Sequence, residues 1–210
     1  MNFNWIEFSK LLCGEFIKNN TNITEGMIRY WFVECIRGVV EDLSIEESYF
    51  GKKIKRNSSK QQLIMTKKNV PHADLYFENN NKSYVFEFKY DVGTNYTEIV
   101  GKVLHDFNRL SVIDNDEKYL IYVFSKNVKN YYQNKFNGIF DIDSTQATYT
   151  IDGNFSWENK KSFPKSFIKE AFKSFTNKHT NFSQYNYTIN RIIGKQIPNS
   201  TYYIFVYKVL

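Results

Sequence analysis

Two acids and a lysine stand out by type and spacing. Twelve residues separate Asp74 from Glu87, and Lys89 follows Glu87 with one residue between them. Paired carboxylates present hard oxygens that hold Mg²⁺ through one or two ligands and leave waters on it. A neighbouring ammonium can orient or deprotonate a water for attack on phosphorus, while the metal stabilises charge that develops on the phosphoryl oxygens. That chemistry requires the three side chains to meet at one point, so the elements that carry them decide whether it is available.

Ser83–Tyr90 alternates as a strand. Tyr84, Phe86, Phe88 and Tyr90 point one way, and Val85, Glu87 and Lys89 the other. The turn Asn79-Asn80-Asn81 joins it to a preceding strand, His72–Glu78, opened by Pro71. In a hairpin of this length Asp74 lies at the same end of the sheet as Glu87 and Lys89. A loop, Val92–Tyr96, leads to a helix over Thr97–Ile113 with Val100, Val103, Leu104, Phe107 and Leu110 apolar, ended by Asp114-Asn115-Asp116. The wholly apolar Tyr119–Phe124 then reads as a strand buried on both faces. Strand, helix and strand make a crossover unit, which places Ser83–Tyr90 inside the sheet. Glu and Lys are costly there unless they are paired or engaged in function. A salt-bridged hairpin with no further role is the plainer alternative.

Ahead of this unit, Trp5–Lys18 is expected as an amphipathic helix, and a second helix capped by Asn22 runs to about Leu43. Glu25 precedes Ile28, Phe32 and Cys35 by 3, 7 and 10 residues, so it lies on the inward stripe of that helix. Asn22-x-x-Glu25 equally fits a capping box, and the two roles are compatible. Tyr49–Lys55 reads as a strand, Tyr131–Phe140 and Ser166–Phe175 as helices, Ala147–Trp157 as ambiguous, and Tyr185–Ile193 with Tyr202–Val209 as a closing hairpin. The order gives an α/β fold, a mixed central β-sheet flanked by helices. The length of 210 residues suits a single domain, 1–210.

An aromatic content of 18% excludes a disordered chain. Apolar runs such as Tyr119–Phe124 are far too short to span a bilayer, so no membrane partner is expected. Glu7 and Lys10 interrupt the N-terminal apolar stretch, against a signal peptide. Two cysteines, Cys13 and Cys35, exclude a disulfide scaffold or a cysteine-rich zinc site and fit a cytoplasmic location.

The net charge of +6 is compatible with a polyanionic partner. Its distribution is more telling: Lys52, Lys53, Lys55, Arg56, Lys60, Lys67 and Lys68 fall together with no acid among them. Such a segment is either a solvated loop or a surface that follows a phosphate backbone. Glu98, Lys102, His105 and Arg109 form the polar face of the Thr97–Ile113 helix. That face is either solvated with i,i+4 pairing or a source of phosphate contacts. No Gly-rich phosphate loop and no Ser/His/Asp arrangement occurs.

Asp74 at the head of one strand, Glu87-Phe88-Lys89 mid-strand in the next, and the crossover that follows resemble the PD-(D/E)xK nuclease superfamily, the restriction-endonuclease-like fold. The resemblance covers a core of about 22–126, with 127–210 as a C-terminal elaboration. Ala73 stands where the family's proline usually precedes the acid. The resemblance implies that Asp74 and Glu87 ligate Mg²⁺, or Mn²⁺ in its place, with the Phe88 carbonyl adding a ligand. It implies that Lys89 positions the attacking water and that Glu25 assists through a water or a second metal. Lys52, Lys53, Lys55, Arg56, Lys60, Lys102 and Arg109 would then contact nucleic acid, DNA in preference to RNA. The expected function is a metal-dependent DNA endonuclease of restriction or defence type, a homodimer if it cuts both strands symmetrically. The alternatives are an inactive nucleic-acid-binding module of the same fold and an RNA-cutting defence effector.

Overall fold

The computed structural model describes residues 3–18, 23–37, 74–111, 113–133, 138–151 and 187–210. Helix α1 (Trp5–Lys18) has the expected bounds. Asn4 starts it: Oδ1 accepts the Glu7 N–H at 3.1 Å, and Nδ2 donates to Glu7 Oε2 at 2.9 Å. One amide left over at the helix start is thereby satisfied.

Helix α2 spans Glu25–Arg37. Thr24 caps it, its Oγ1 accepting the Met27 N–H at 3.2 Å. This corrects the expected start: the side chain that satisfies the amide three residues on is Thr24, and Glu25 is the first residue of the helix. Asn22 and residues 38–43 lie outside the described residues. Phe8, Leu12 and Phe16 of α1 and Ile28, Trp31, Phe32 and Ile36 of α2 are buried together.

Strands β1 (Leu75–Asn79) and β2 (Lys82–Asp91) form the hairpin. Asn80 and Asn81 both have positive φ, 50° and 59°, as two-residue hairpin turns that match the strand twist require. Helix α3 (Tyr96–Ser111) then crosses to β3 (Glu117–Ser125), which pairs in parallel with β2. Helix α4 (Lys126–Tyr132) follows at once, earlier than the expected Tyr131–Phe140. Val128 and Tyr132, four residues apart, are both fully buried and seat this turn on the core. Residues 134–137 lie outside the described residues.

The ambiguous Ala147–Trp157 stretch yields a short strand, β4 (Thr148–Ile151), and the expected closing hairpin forms as β5 (Tyr187–Gln196) and β6 (Tyr202–Val209). The expected strand Tyr49–Lys55, the expected helix Ser166–Phe175 and the basic segment lie outside the described residues.

The strands make one mixed sheet in the order β1-β2-β3-β6-β5-β4. Among the described strands only β2 and β3 run parallel. β6 pairs antiparallel with β3, so the C-terminal hairpin extends the sheet from its middle. One face carries Phe86, Phe88, Ile121 and Val123 against α1 and α2. The other carries Val85, Leu120 and Tyr122 against α3 residues Val103, Leu104 and Phe107. The protein is thus α/β, with a mixed six-stranded sheet flanked by helices. β2 is internal, and its polar residues lie on the α3 side. Among the described residues no helix is long and apolar enough to cross a membrane.

Candidate functional site

The β1–β2 register sets Leu75 opposite Phe86 and Tyr76 opposite Val85. One step further along it, Asp74 comes opposite Glu87. Partners across an antiparallel pair share a face, so the two carboxylates meet. Asp74 is held there from two sides. Its Oδ2 accepts the Phe88 N–H at 2.8 Å, and its Oδ1 accepts from Arg29 Nη1 of α2 at 3.3 Å.

Glu87 is 2% exposed. Burial pushes its carboxyl well above the usual range, and Asp74, in hydrogen-bond contact with it, and Asp106 push it further, against the pull of Arg109. Arg109 Nη2 of α3 lies 2.9 Å from Glu87 Oε1, yet among the described residues no hydrogen-bond donor is aligned on that oxygen. The contact is an ion pair that compensates charge without filling the oxygen's hydrogen-bonding capacity.

Lys89 lies two residues on, on the same face. Its Nζ is 3.2 Å from Asp106 Oδ2 and 3.8 Å from Glu25 Oε2. Burial works to lower the ammonium, but Asp106 and Glu25 outweigh it and hold the group above its ordinary value, fully protonated. Glu25 turns inward from the first turn of α2, and its Oε2 accepts the Tyr90 N–H at 3.2 Å. Burial raises its carboxyl, opposed by Lys89.

Asp106, on α3, is a member that sequence reasoning missed. It is 4% exposed. Besides Lys89, it has Arg109 Nη1 at 3.6 Å and His105 Nδ1 at 3.4 Å from its Oδ1. Burial works to raise its carboxyl, but Lys89, His105 and Arg109 together hold it below its ordinary value. Its position was a signal: Asp106 follows Val103 by three residues and precedes Leu110 by four, so it interrupts the buried stripe. Arg29 was also missed, because its partner Asp74 is 45 residues away in the chain.

The structure sets Asp74 against Glu87, with the Phe88 amide bound to Asp74, and Lys89 between Asp106 and Glu25 on the same face of the sheet. Arg109 belongs to this cluster, within ion-pair distance of Glu87 and Asp106. Lys102 is exposed on α3 and acts on Asp91. The side chain of Glu98, together with His72, Lys52, Lys53, Lys55, Arg56 and Lys60, lies outside the described residues.

Four carboxyl groups, Asp74, Glu87, Glu25 and Asp106, face three cations, Arg29, Lys89 and Arg109, and the hydrogen bond between Asp74 and Glu87 places a proton between those two. Asp91, further along β2, adds its own charge beside Lys89. Two carboxyls in contact are the hard oxygen donors that a divalent cation keeping several waters takes once the proton between them is released. Among the described residues, no set of three or more His, Cys, Asp or Glu residues is arranged to enclose an ion. Comparison with family models, with curated proteins and with solved structures finds no match to this chain.

Proposed function

We propose that this protein is a metal-dependent nuclease that hydrolyses phosphodiester bonds of nucleic acid, a DNA endonuclease of restriction or defence type with a PD-(D/E)xK core. The observation that carries the reading is the contact of Asp74 with the buried Glu87, with Lys89 on the same face of the strand. The succession β1, β2, α3, β3, with its parallel crossover, supports the restriction-endonuclease-like core.

Asp74 and Glu87, with the Phe88 carbonyl, would hold Mg²⁺ or Mn²⁺. Such an ion would neutralise charge on the scissile phosphate and acidify a bound water. The protein's own groups divide the remaining tasks. Lys89, held protonated between Asp106 and Glu25, donates hydrogen bonds and charge to the attacking water or a phosphate oxygen and is no free base. Asp106 is too acidic and too enclosed to take a proton, and Asp74 and Glu87 are committed to the cation. Glu25 remains: burial raises its carboxyl, which makes the ionised form a better base, and its Oε2 accepts the Tyr90 amide and faces Lys89. It takes the proton of the attacking water. The basic segment Lys52–Lys68 follows the phosphate backbone, and two copies of the chain act together where both strands are cut.

A second reading, an inactive nucleic-acid-binding module, is favoured by Arg109, which already neutralises Glu87. Plasmid DNA and labelled RNA, each incubated with Mg²⁺, Mn²⁺ or EDTA beside a gel-shift, separate the two. Metal-dependent cleavage that EDTA abolishes supports the nuclease, and binding without cleavage supports the module.

A further inference from the structure

We propose that Arg109 is the resident counter-cation of Glu87 and that a divalent ion displaces it, leaving the guanidinium on Asp106. The inference rests on the nuclease reading and concerns how the site accommodates the ion.

Three observations carry it. Arg109 Nη2 is 2.9 Å from Glu87 Oε1, close enough that the guanidinium and a metal ion on that oxygen repel each other strongly. Among the described residues the oxygen has no aligned hydrogen-bond donor, so the pair is electrostatic and gives up little directional bonding when it parts. The other end of the guanidinium, Nη1, already lies 3.6 Å from Asp106 Oδ1. A rotation about the arginine side chain therefore keeps the charge paired without carrying it into solvent. Helix α3 is fixed by Val103, Leu104, Phe107 and Leu110 in the core, which leaves the side chain as the moving part.

The sign of the effect follows from charge. Replacing Arg109 with a neutral residue removes a repulsion that a divalent ion feels twice over. Protons also bind Glu87 more readily then, but with a single charge they gain half as much. Net metal affinity rises.

The test measures Mn²⁺ binding by the electron paramagnetic resonance of free Mn²⁺, without nucleic acid, in the wild type, Arg109→Gln, Arg109→Lys and Asp74→Asn. The expected result is affinity about tenfold higher in Arg109→Gln, the scale on which one neighbouring charge acts on a carboxylate. Arg109→Lys, which keeps a competing cation, stays near the wild type, and Asp74→Asn loses binding. Equal or weaker binding in Arg109→Gln, with Asp74→Asn still defective, overturns the displacement and leaves the metal site standing. No Mn²⁺ binding by the wild type overturns both.

A crystal structure of the wild type with Ca²⁺ gives an answer that does not depend on how the variants fold. Arg109 is expected beyond 4 Å, the ion-pair limit, from Glu87 and beside Asp106. An ion on Asp74 and Glu87 with Arg109 still in contact with Glu87 overturns the proposal.

Discussion

Lys89 Nζ on β2 and Asp106 Oδ2 on α3 lie 3.2 Å apart, with Asp106 almost wholly buried. This pair ties the crossover helix to the strand that carries the Glu-x-Lys sequence, and it fixes the charge state of the lysine. Asp106→Asn keeps the shape but removes the charge that compensates Lys89 and Arg109. The expected loss is about 3 kcal/mol of stability, the scale for breaking one partner out of a buried pair, read by urea unfolding. A loss within 0.5 kcal/mol, the range of ordinary surface changes, would show that solvent compensates these cations without Asp106.

Glu25 and Thr24 are neighbours with opposite assignments. Thr24→Ala should cost roughly 0.5–2 kcal/mol through the lost cap and leave the catalytic rate per folded molecule unchanged. Glu25→Gln should leave the melting temperature near the wild type and cut the Mg²⁺-dependent rate by about 10²-fold or more, the scale of general base catalysis. Wild-type turnover in Glu25→Gln would reduce the site to Asp74, Glu87 and Lys89.

Asp91 predicts a pH dependence. Burial pushes its carboxyl from 3.8 up to about 6. Between those values the unfolded chain has released the proton that the folded chain still holds. Unfolding then releases protons, and stability falls as pH rises through the window. Asp91→Asn removes this contribution. Relative to the variant, the wild type should lose on the order of 2 kcal/mol between pH 4 and pH 7, measured by urea unfolding at each pH. Parallel curves would mean that Asp91 titrates alike in both states.

The basic segment predicts a salt effect. Replacing Lys52, Lys53 and Lys55 together with Ala should flatten the slope of log K against log salt for duplex DNA, by up to about 0.9 per lost phosphate contact. The weakening should be equal on all sequences. An unchanged slope would return the segment to a solvated loop.

Local patterns made much of this legible. The alternation in Ser83–Tyr90 separated Phe86 and Phe88 from Glu87 and Lys89, and the unbroken run Tyr119–Phe124 marked a strand covered on both sides. The inward turn of Glu25 followed from helical spacing. What escaped depended on distant partners or on competing local choices. Asn22 and Thr24 both offer a capping oxygen, and only the helix geometry favours Thr24. The place of β6 beside β3 is set by a pairing between chain segments far apart, and so is the reach of Arg29 to Asp74. Asp106 had a signal, an acid inside an apolar stripe, but its meaning appears only with Lys89 and Arg109 around it.

The central claim is that Asp74, Glu87 and Lys89 form one hydrolytic site. It is tested most directly by a Mg²⁺-dependent plasmid cleavage assay on the wild type and on Asp74→Ala, Glu87→Ala and Lys89→Ala, each checked for folding by circular dichroism, with Mn²⁺ affinity measured in parallel. The account predicts cleavage by the wild type alone. It also predicts loss of metal binding in the two acid variants and its retention in Lys89→Ala. Cleavage at the wild-type rate by any one of the three folded variants would contradict it.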